Sequence, residues 1–187
     1  NTLQPGLCVL GTRLPGCFNV FEMSVRAVLG QQITVKAAST LAARLVAVYG
    51  TQVQTGIEGL THSFPAPAAI LALGENISEH LGKLGIISAR ANTIYQLARV
   101  LADEKNDFGF CGNPEEEMQK LQAIRGIGSW TAQYIAMRAM GWPDAFLPTD
   151  AGIKKALPDH TPKELQVLSE AWRPWRSYAT VNLWNTL

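Results

Sequence analysis

Residues 121–132 read LQAIRGIGSWTA, and residues 148–150 further along the chain read PTD. The first stretch predicts a helix, a tight turn at Gly126-Ile127-Gly128 and a second helix. Glycines permit a positive φ and leave no side chain in the way of a partner. The second helix then presents backbone N–H groups that have no partner within the helix. This arrangement suits a phosphate group, and Asp150 adds a carboxylate for chemistry on whatever carries the phosphate.

Both features also have purely structural interpretations. A turn that joins two helices of a bundle would explain the two glycines equally well, with Ile127 buried between the helices. Asp150 precedes AGIKK and fits the N-cap of a further helix. A capping carboxylate at the mouth of a cleft can nevertheless be catalytic, because the N–H groups of the helix stabilise its charge. The residues alone leave both alternatives open.

Aromatic residues are concentrated towards the C-terminus, where all five tryptophans lie within the last 58 residues. Trp130 and Tyr134 are four residues apart and therefore share a helix face. Such a pair can belong to the core. It can equally form a pocket that stacks on a base or on a cationic ligand, and Trp184 would then be a third wall.

Composition narrows the class of protein. The chain has 187 residues and is 47% hydrophobic, which is enough to bury a core in one domain or in two small lobes. No apolar run is long enough for a membrane span, and no signal-peptide pattern opens the chain. We therefore expect a cytoplasmic protein. The scattered cysteines and histidines exclude a disulfide framework or a thiol metal centre: Cys8, Cys17, Cys111, His62, His80 and His160.

The net charge of +1 hides an uneven distribution. Residues 103–117 carry six acids and one lysine, a local charge of −5, which leaves +6 on the rest of the chain. A neutral total can therefore conceal a basic face for nucleic acid. Ordinary solvated charges explain the same numbers.

Capping signals and apolar spacing predict an all-α fold, with loops at 51–67 and, strongly acidic, at 102–113. Ser78, Ser88, Asn113 and Thr161 are the candidate N-caps, and Thr161 opens a full capping box with Glu164. The predicted helices are 18–29, 34–49, 68–73, 78–84, 88–101, 114–124, 129–140, one opening at 150, one opening at 162, and 175–187.

Further segments surround the hairpin in a characteristic order: LPGCF (14–18), VRAVLGQQ (25–32), LGI (84–86), FLPTD (146–150) and WRPWRSY (172–178). Together with the hairpin they make the chain resemble the helix-hairpin-helix-GPD superfamily of DNA glycosylases. Within it, the chain is similar to the type II 3-methyladenine DNA glycosylases of bacteria. The resemblance covers nearly the whole chain.

The resemblance implies a helix-hairpin-helix glycosylase fold, with two helical subdomains that flank an active-site cleft. Residues 20–142 would form the subdomain with the hairpin, and residues 1–19 and 143–187 the one with the catalytic carboxylate. The N-terminal β-rich domain of the family has no counterpart here. Because the chain also starts without Met, we expect a fragment, either of an enzyme with that domain or of one fused to a regulator of the adaptive response to alkylation.

The resemblance also assigns roles to residues. Asp150 is the expected catalytic carboxylate, and Trp130, Tyr134 and Trp184 line the expected base pocket. Gln32 stands at the wedge position, where a known relative has leucine, and Thr149 replaces a second aspartate. The expected DNA contacts are Gly126, Ile127, Gly128, Ser129, Thr131 and Gln32. With DNA bound, the expected carbonyl ligands of a structural Na⁺ or K⁺ ion are Gln122, Ile124 and Ile127; no other cofactor is expected.

These assignments predict a monofunctional DNA glycosylase that excises alkylated purines, of the 3-methyladenine and 7-methylguanine type, in base excision repair. The glycosylase/lyases of the superfamily carry a lysine nucleophile where this chain has Trp130, so no AP-lyase activity is expected. The expected partner is double-stranded DNA in the bacterial nucleoid. The protein is expected to bind it as a monomer and to have no membrane partner. Three alternatives stay open: a glycosylase for another damaged or mispaired base, a non-enzymatic helix-hairpin-helix DNA-binding module, and a helical bundle with a structural turn.

Overall fold

The computed structural model describes residues 6, 8–103 and 113–187. The described chain divides into two compact units. The first, called the hairpin unit, comprises residues 19–103 and 122–127. The second, called the aromatic unit, comprises residues 6, 8–18, 113–121 and 128–187. Most of the predicted acidic loop, residues 104–112, lies outside the described residues.

The hairpin unit is built around one central helix. Its helices are α1 (Val20–Leu29), α2 (Val35–Tyr49), α3 (Pro67–Leu71), α4 (Ile77–Gly82) and α5 (Ser88–Leu101), with a 3₁₀ turn at Gly74–Asn76. Helix α5 packs against α1, α3 and α4. The facing apolar stripes are fully buried, including Val25 and Leu29 of α1 and Ile94 and Leu97 of α5. The core of this unit therefore follows from the helical spacing of apolar residues.

A short antiparallel pairing interrupts the predicted loop 51–67. Strand β1 (Thr51–Gln52) pairs with β2 (His62–Ser63), with Thr51 opposite Ser63. Each strand has two residues, so no alternation of useful length exists for a sequence to reveal. The all-α prediction is confirmed apart from this pairing.

The aromatic unit carries the remaining helices. They are α6 (Pro114–Gln122), α7 (Ser129–Arg138), α8 (Ala151–Ala156), α9 (Pro162–Ser169) and α10 (Arg176–Trp184), with a 3₁₀ turn at Glu170–Trp172. Helix α6 ends on Gln122, which belongs to the hairpin unit. Helices α8 and α10 pack together. Met137, Phe146, Leu147, Ile153 and Leu183 form a buried cluster in this unit.

Helix α7 belongs to the aromatic unit, whereas the prediction from sequence grouped residues 20–142 together. The reason is its apolar face: Met137 is part of the buried cluster, and Trp130 and Tyr134 pack against that cluster. The division of the described chain therefore runs through the hairpin, between Ile127 and Gly128.

The WRPWRSY segment surrounds a buried ion pair. The Arg176 guanidinium donates to both oxygens of Asp144, at 2.8 and 2.9 Å, and the two side chains are 5% and 8% exposed. The Ser177 hydroxyl donates to the carbonyl of Trp142 at 2.7 Å and accepts from the N–H of Ala145 at 2.9 Å. These bonds fasten the start of α10 to the loop that follows α7.

Of the N-caps predicted from the sequence, some are confirmed by the structure and others are wrong. The capping box is confirmed, because Thr161 Oγ1 accepts from the N–H of Glu164 while the Glu164 carboxylate accepts from the N–H of Thr161. The predictions for Ser78 and Ser88 are wrong. Helix α4 already begins at Ile77, and the hydroxyl of Ser78 donates to Asn92 instead. Ser88 is the first residue within α5, whose N-cap is Ile87.

Where the chain is described, no helix combines the length and the apolar character that crossing a membrane requires.

Candidate active site

Asp150 is the N-cap of α8, as its sequence context predicts. Its Oδ1 accepts hydrogen bonds from the N–H groups of Gly152 at 2.9 Å and Ile153 at 3.1 Å. These two donors satisfy N–H groups that an uncapped helix would leave without partners. Asp150 therefore caps α8, as predicted, and these two bonds use only one of its carboxylate oxygens.

Two indole groups also donate to Asp150. Trp184 Nε1 lies 2.9 Å from Oδ1, and Trp130 Nε1 lies 3.1 Å from Oδ2. A carboxylate has about four lone-pair sites on its two oxygens, so the three donors at Oδ1 saturate that oxygen. Of the donors on described residues, Oδ2 has only Trp130. All acceptor sites of Oδ1 are thus used by hydrogen bonds within the protein. Oδ2 can still accept a hydrogen bond from a reacting group.

The three predicted pocket aromatics lie together in the aromatic unit. The rings of Trp130 and Tyr134 are stacked, with centroids 5.2 Å apart and planes 9° apart. Trp184 is tilted by 48° against Tyr134 at 6.4 Å. A base between two rings needs two van der Waals contacts, about 7 Å in total. A base therefore cannot enter between Trp130 and Tyr134, and must use the other faces and edges of these rings.

Arg138, which was not predicted from the sequence, extends the aromatic stack along α7. Its guanidinium carbon lies 5.6 Å from the centroid of the Tyr134 ring, and its Nη1 donates to the Tyr134 hydroxyl at 3.0 Å. Its Nε donates to the carbonyl of Pro15 at 2.8 Å. The sequence signal for Arg138 is its position four residues after Tyr134, which places both side chains on the same face of the helix. Arg138 fixes the orientation of the Tyr134 ring.

The first glycine of the hairpin is required by the hairpin unit itself. Gly126 has φ of +94°, and a Cβ there would lie 2.0 Å from Thr93 Oγ1. The Thr93 hydroxyl is bonded to the carbonyl of Arg125 at 3.0 Å, so it cannot move without loss. Gly128 differs, because a Cβ there meets nothing within 4 Å and its φ of −89° suits any residue.

The wedge position lies in the same unit as Gly126 and is connected to it. Gln31 Nε2 donates to the carbonyl of Gly126 at 3.0 Å, and Arg90 donates to the carbonyl of Gln31. Gln32 is exposed and has a φ of +54°, a left-handed conformation that is uncommon for residues other than glycine. Gln31, for which the sequence predicted no role, thus connects the segment that carries Gln32 to the hairpin.

The exposure of the predicted DNA contacts is uneven. Gly126, Gly128, Ser129 and Gln32 are exposed. Ile127 is 5% exposed, which confirms the prediction that its side chain is buried. Thr131 is 2% exposed, so its side chain offers no open surface to a phosphate and lies outside the proposed DNA interface.

The predicted ligands of a monovalent cation are backbone carbonyls in and next to the turn. Those of Arg125 and Gly126 accept side-chain hydrogen bonds. Neither of the two belongs to the predicted ligand set of Gln122, Ile124 and Ile127. Ile124 O accepts from the N–H of Ile127 at 3.0 Å and keeps a second lone pair. Elsewhere in the described chain, no cluster of three or more His, Cys, Asp or Glu residues could hold a metal ion.

Comparison with known proteins supplies a family. Residues 25–176 match the model of the HhH-GPD superfamily of base excision DNA repair proteins. The chain is 38% identical over 176 residues to DNA-3-methyladenine glycosylase 2 of Escherichia coli, covering 94% of this chain and 61% of that protein. It is 42% identical over 182 residues to a probable bifunctional transcriptional activator/DNA repair enzyme AlkA of Mycobacterium tuberculosis, covering 95% of this chain and 35% of that protein. The chain therefore spans less than two thirds of the length of these relatives.

Solved structures agree on the fold. A 3-methyladenine DNA glycosylase from Archaeoglobus fulgidus superposes with a TM-score of 0.77 at 24% identity, covering 91% of this chain and 58% of that one. The Schizosaccharomyces pombe 3-methyladenine DNA glycosylase Mag1, in complex with abasic DNA, gives 0.75 at 21% identity, covering 99% and 87%. The predicted helix-hairpin-helix glycosylase fold is confirmed.

Proposed function

The chain belongs to the HhH-GPD superfamily of base excision DNA repair proteins, and from this premise we propose that it is a monofunctional DNA glycosylase that hydrolytically excises alkylated purines. Its substrates are double-stranded DNA with bases of the 3-methyladenine and 7-methylguanine type. It works as a monomer in the bacterial cytoplasm. The identity to alkylation-repair relatives over most of the chain supports this substrate class.

One observation carries the proposal: Asp150 has one oxygen saturated by structural donors and the other bonded to an indole of the aromatic stack. A carboxylate in that setting sits beside rings and keeps acceptor capacity on Oδ2. This is the combination that removal of an aromatic base from a sugar requires. A purely structural N-cap would need no indole donors.

The proposed chemistry is stabilisation of a developing positive charge. The target nucleotide is flipped out of the helix, because its glycosidic bond cannot be reached in the stack. An N-alkylated purine is already a good leaving group, so the main task is to stabilise the oxocarbenium-like sugar. Asp150 supplies the fixed counter-charge. Its Oδ2 also accepts a hydrogen bond from the attacking water.

The aromatic stack accounts for the preference for alkylated bases. An N-alkylated purine is positively charged, and electron-rich rings attract a cation by ~0.5–2 kcal/mol. Because Tyr134 stacks on Trp130 and the Arg138 guanidinium lies over the Tyr134 ring, the flipped base contacts the outer face of Trp130, the ring edges and Trp184. The ring arrangement therefore supports one base bound beside the stack.

The turn at 126–129 and the segment around Gln32 contribute the contacts with DNA. The exposed backbone at Gly126, Gly128 and Ser129 binds a phosphate without reading sequence. Gln32 fills the space that the flipped base leaves and offers its amide to the orphaned partner base. When DNA is bound, the carbonyls of Gln122, Ile124 and Ile127 would hold a Na⁺ or K⁺ ion, which would add positive charge near the phosphate.

The direct test is release of the alkylated base. Purified protein is incubated with duplex DNA that contains 7-methylguanine, and free base is separated from DNA by chromatography. Release of 7-methylguanine supports the proposal. Release confined to an oxidised or mispaired base in a parallel lesion panel would replace the substrate class. DNA binding without any release would point to a non-enzymatic module.

Because residue 130 is a tryptophan and not a lysine, we expect base removal without strand cleavage. Trp130 provides no amine for a Schiff base, so the product is an intact strand with an abasic site. We expect no protein–DNA adduct when the reaction is run with borohydride. A covalent adduct on a denaturing gel would contradict the monofunctional assignment. The variant Trp130→Lys, treated in the same way, tests whether an amine at that place can trap the abasic sugar.

Gly126→Ala is expected to destabilise the fold and, as a consequence, to weaken DNA binding. The left-handed φ of +94° costs a residue with a Cβ about 1–2 kcal/mol, and the contact with Thr93 adds to that cost. The free energy of unfolding from urea titration should fall by about 2 kcal/mol or more.

Gly128→Ser is the matched control for this variant. Serine is a favourable N-cap residue, and the space around Gly128 is open, so stability should not fall. Affinity for DNA that contains an abasic-site analogue should nevertheless drop, since the new side chain stands where a phosphate approaches. Unchanged affinity of a folded Gly128→Ser protein would remove this turn from the DNA interface.

A further inference from the structure

Gly152 lies in the first turn of α8, two residues after Asp150, where a side chain would collide with the candidate active site. A Cβ at this position would lie 2.7 Å from Trp184 Cδ1, 2.9 Å from Trp184 Nε1 and 3.1 Å from Asp150 Oδ1. Contacts below 3.0 Å require something to move. The obstacle is an indole ring packed against the buried cluster, so the movement would displace Trp184.

The backbone of Gly152 has a separate role that does not need a glycine. Its N–H donates to Asp150 Oδ1 at 2.9 Å, and any residue except proline offers that N–H. Glycine within a helix is less favourable than alanine, so α8 itself gains nothing from it. The absence of a side chain makes room mainly for the neighbouring indole, whose atoms are the two nearest to the added Cβ.

Resting on the proposed function, we propose that Gly152 is a positioning residue that seats the Trp184 indole against Asp150. The close approach provides the third N–H donor to Oδ1 at 2.9 Å. Saturation of Oδ1 fixes the carboxylate plane and directs the remaining acceptor capacity of Oδ2 to the reacting sugar. Gly152 therefore acts on catalysis through Trp184.

The variant Gly152→Ala keeps the capping N–H and favours helix formation. The single-turnover rate of 7-methylguanine release should fall about 10-fold to 100-fold, since one hydrogen bond to the charged carboxylate is lost. Affinity for abasic-site DNA should change little. In the Trp184→Ala background, the same substitution should cause no further loss of rate, because the ring that it displaces is gone.

A generic Gly→Ala effect is controlled at Gly82, which is also helical and where an added Cβ meets nothing within 4 Å. Gly82→Ala should retain the wild-type rate. A readout that does not depend on activity is the indole N–H resonance of Trp184 in a ¹⁵N-correlated NMR spectrum. Gly152→Ala should shift this resonance and accelerate its exchange with solvent.

The two proposals fail in different ways. A wild-type protein that releases no base overturns the proposed function, and the Trp184 resonance then still reports on the seating of the indole. A wild-type rate for Gly152→Ala, or an unchanged Trp184 resonance, overturns the role of Gly152. An equal loss of rate in the Trp184→Ala background also overturns it, since the glycine would then act through the helix.

Discussion

Asp150→Asn is expected to reduce base release from alkylated DNA by about 10²–10⁴-fold. The amide carries no charge to stabilise the oxocarbenium-like sugar. Its oxygen can still accept from Gly152, Ile153 and Trp184, but its NH₂ group would then face the Trp130 indole N–H, which is also a donor. The variant therefore removes the counter-charge and the bond to the aromatic stack while it keeps the cap.

This design separates chemistry from folding. Asparagine is as good an N-cap as aspartate, so the thermal unfolding midpoint should stay close to that of the wild type. Affinity for an abasic-site analogue should be largely retained. Asp159→Asn, an exposed carboxylate between α8 and α9, is the matched control and should release base normally. Wild-type release of 7-methylguanine by Asp150→Asn would exclude this carboxylate from the mechanism.

Local sequence signals predicted most of the helices and the anchor of the site. Asp150 followed by AGIKK indicated an N-cap, and the structure has it there, because capping depends on residues within one turn. The Thr161 box is correct for the same reason. Ser78 and Ser88 show the limit of such signals. Both are good caps by composition, yet the apolar packing of Ile77 and Ile86 sets where α4 and α5 begin.

The supporting residues of the site could not be read from the sequence in the same way. Gly152 reads as an ordinary helix glycine until Trp184, which is distant in the chain, is found against it. Gln31 reads as part of a polar pair until its amide is found on Gly126. In both cases the function of the residue lies in a tertiary contact. Family resemblance predicts which residues contact substrate, whereas the residues that hold them in place are found only in the coordinates.

The buried ion pair between Asp144 and Arg176 of the WRPWRSY segment should have a large effect on stability. Asp144→Ala should lower the free energy of unfolding by about 3–5 kcal/mol. The substitution leaves the Arg176 guanidinium buried, with Glu170 at 3.2 Å as its remaining carboxylate in the described chain. Folded domains are stable by only ~5–15 kcal/mol, so this loss is a large fraction of the total. Urea titration at constant pH and salt measures it.

The exposed salt bridges of the same network should contribute much less to the free energy of unfolding. Arg173 bridges Asp144 and Glu170 at the surface, and its hydrogen bond lowers the pKa of the Glu170 carboxyl. Solvent screens such a contact. An exposed pair, Lys83 with Glu79, provides the control: Glu79→Gln should leave the unfolding midpoint unchanged.

A double replacement distinguishes loss of a pair from loss of packing. Asp144→Leu combined with Arg176→Met removes both buried charges and refills their volume, and such exchanges are often neutral or stabilising. We expect it to recover most of the stability that Asp144→Ala loses. If Asp144→Ala costs no more than Glu79→Gln, the buried pair contributes no net stability. If the double variant is as unstable as Asp144→Ala, the segment is held by the geometry of its hydrogen bonds, including those of Ser177, because removing the buried charges would then bring no gain.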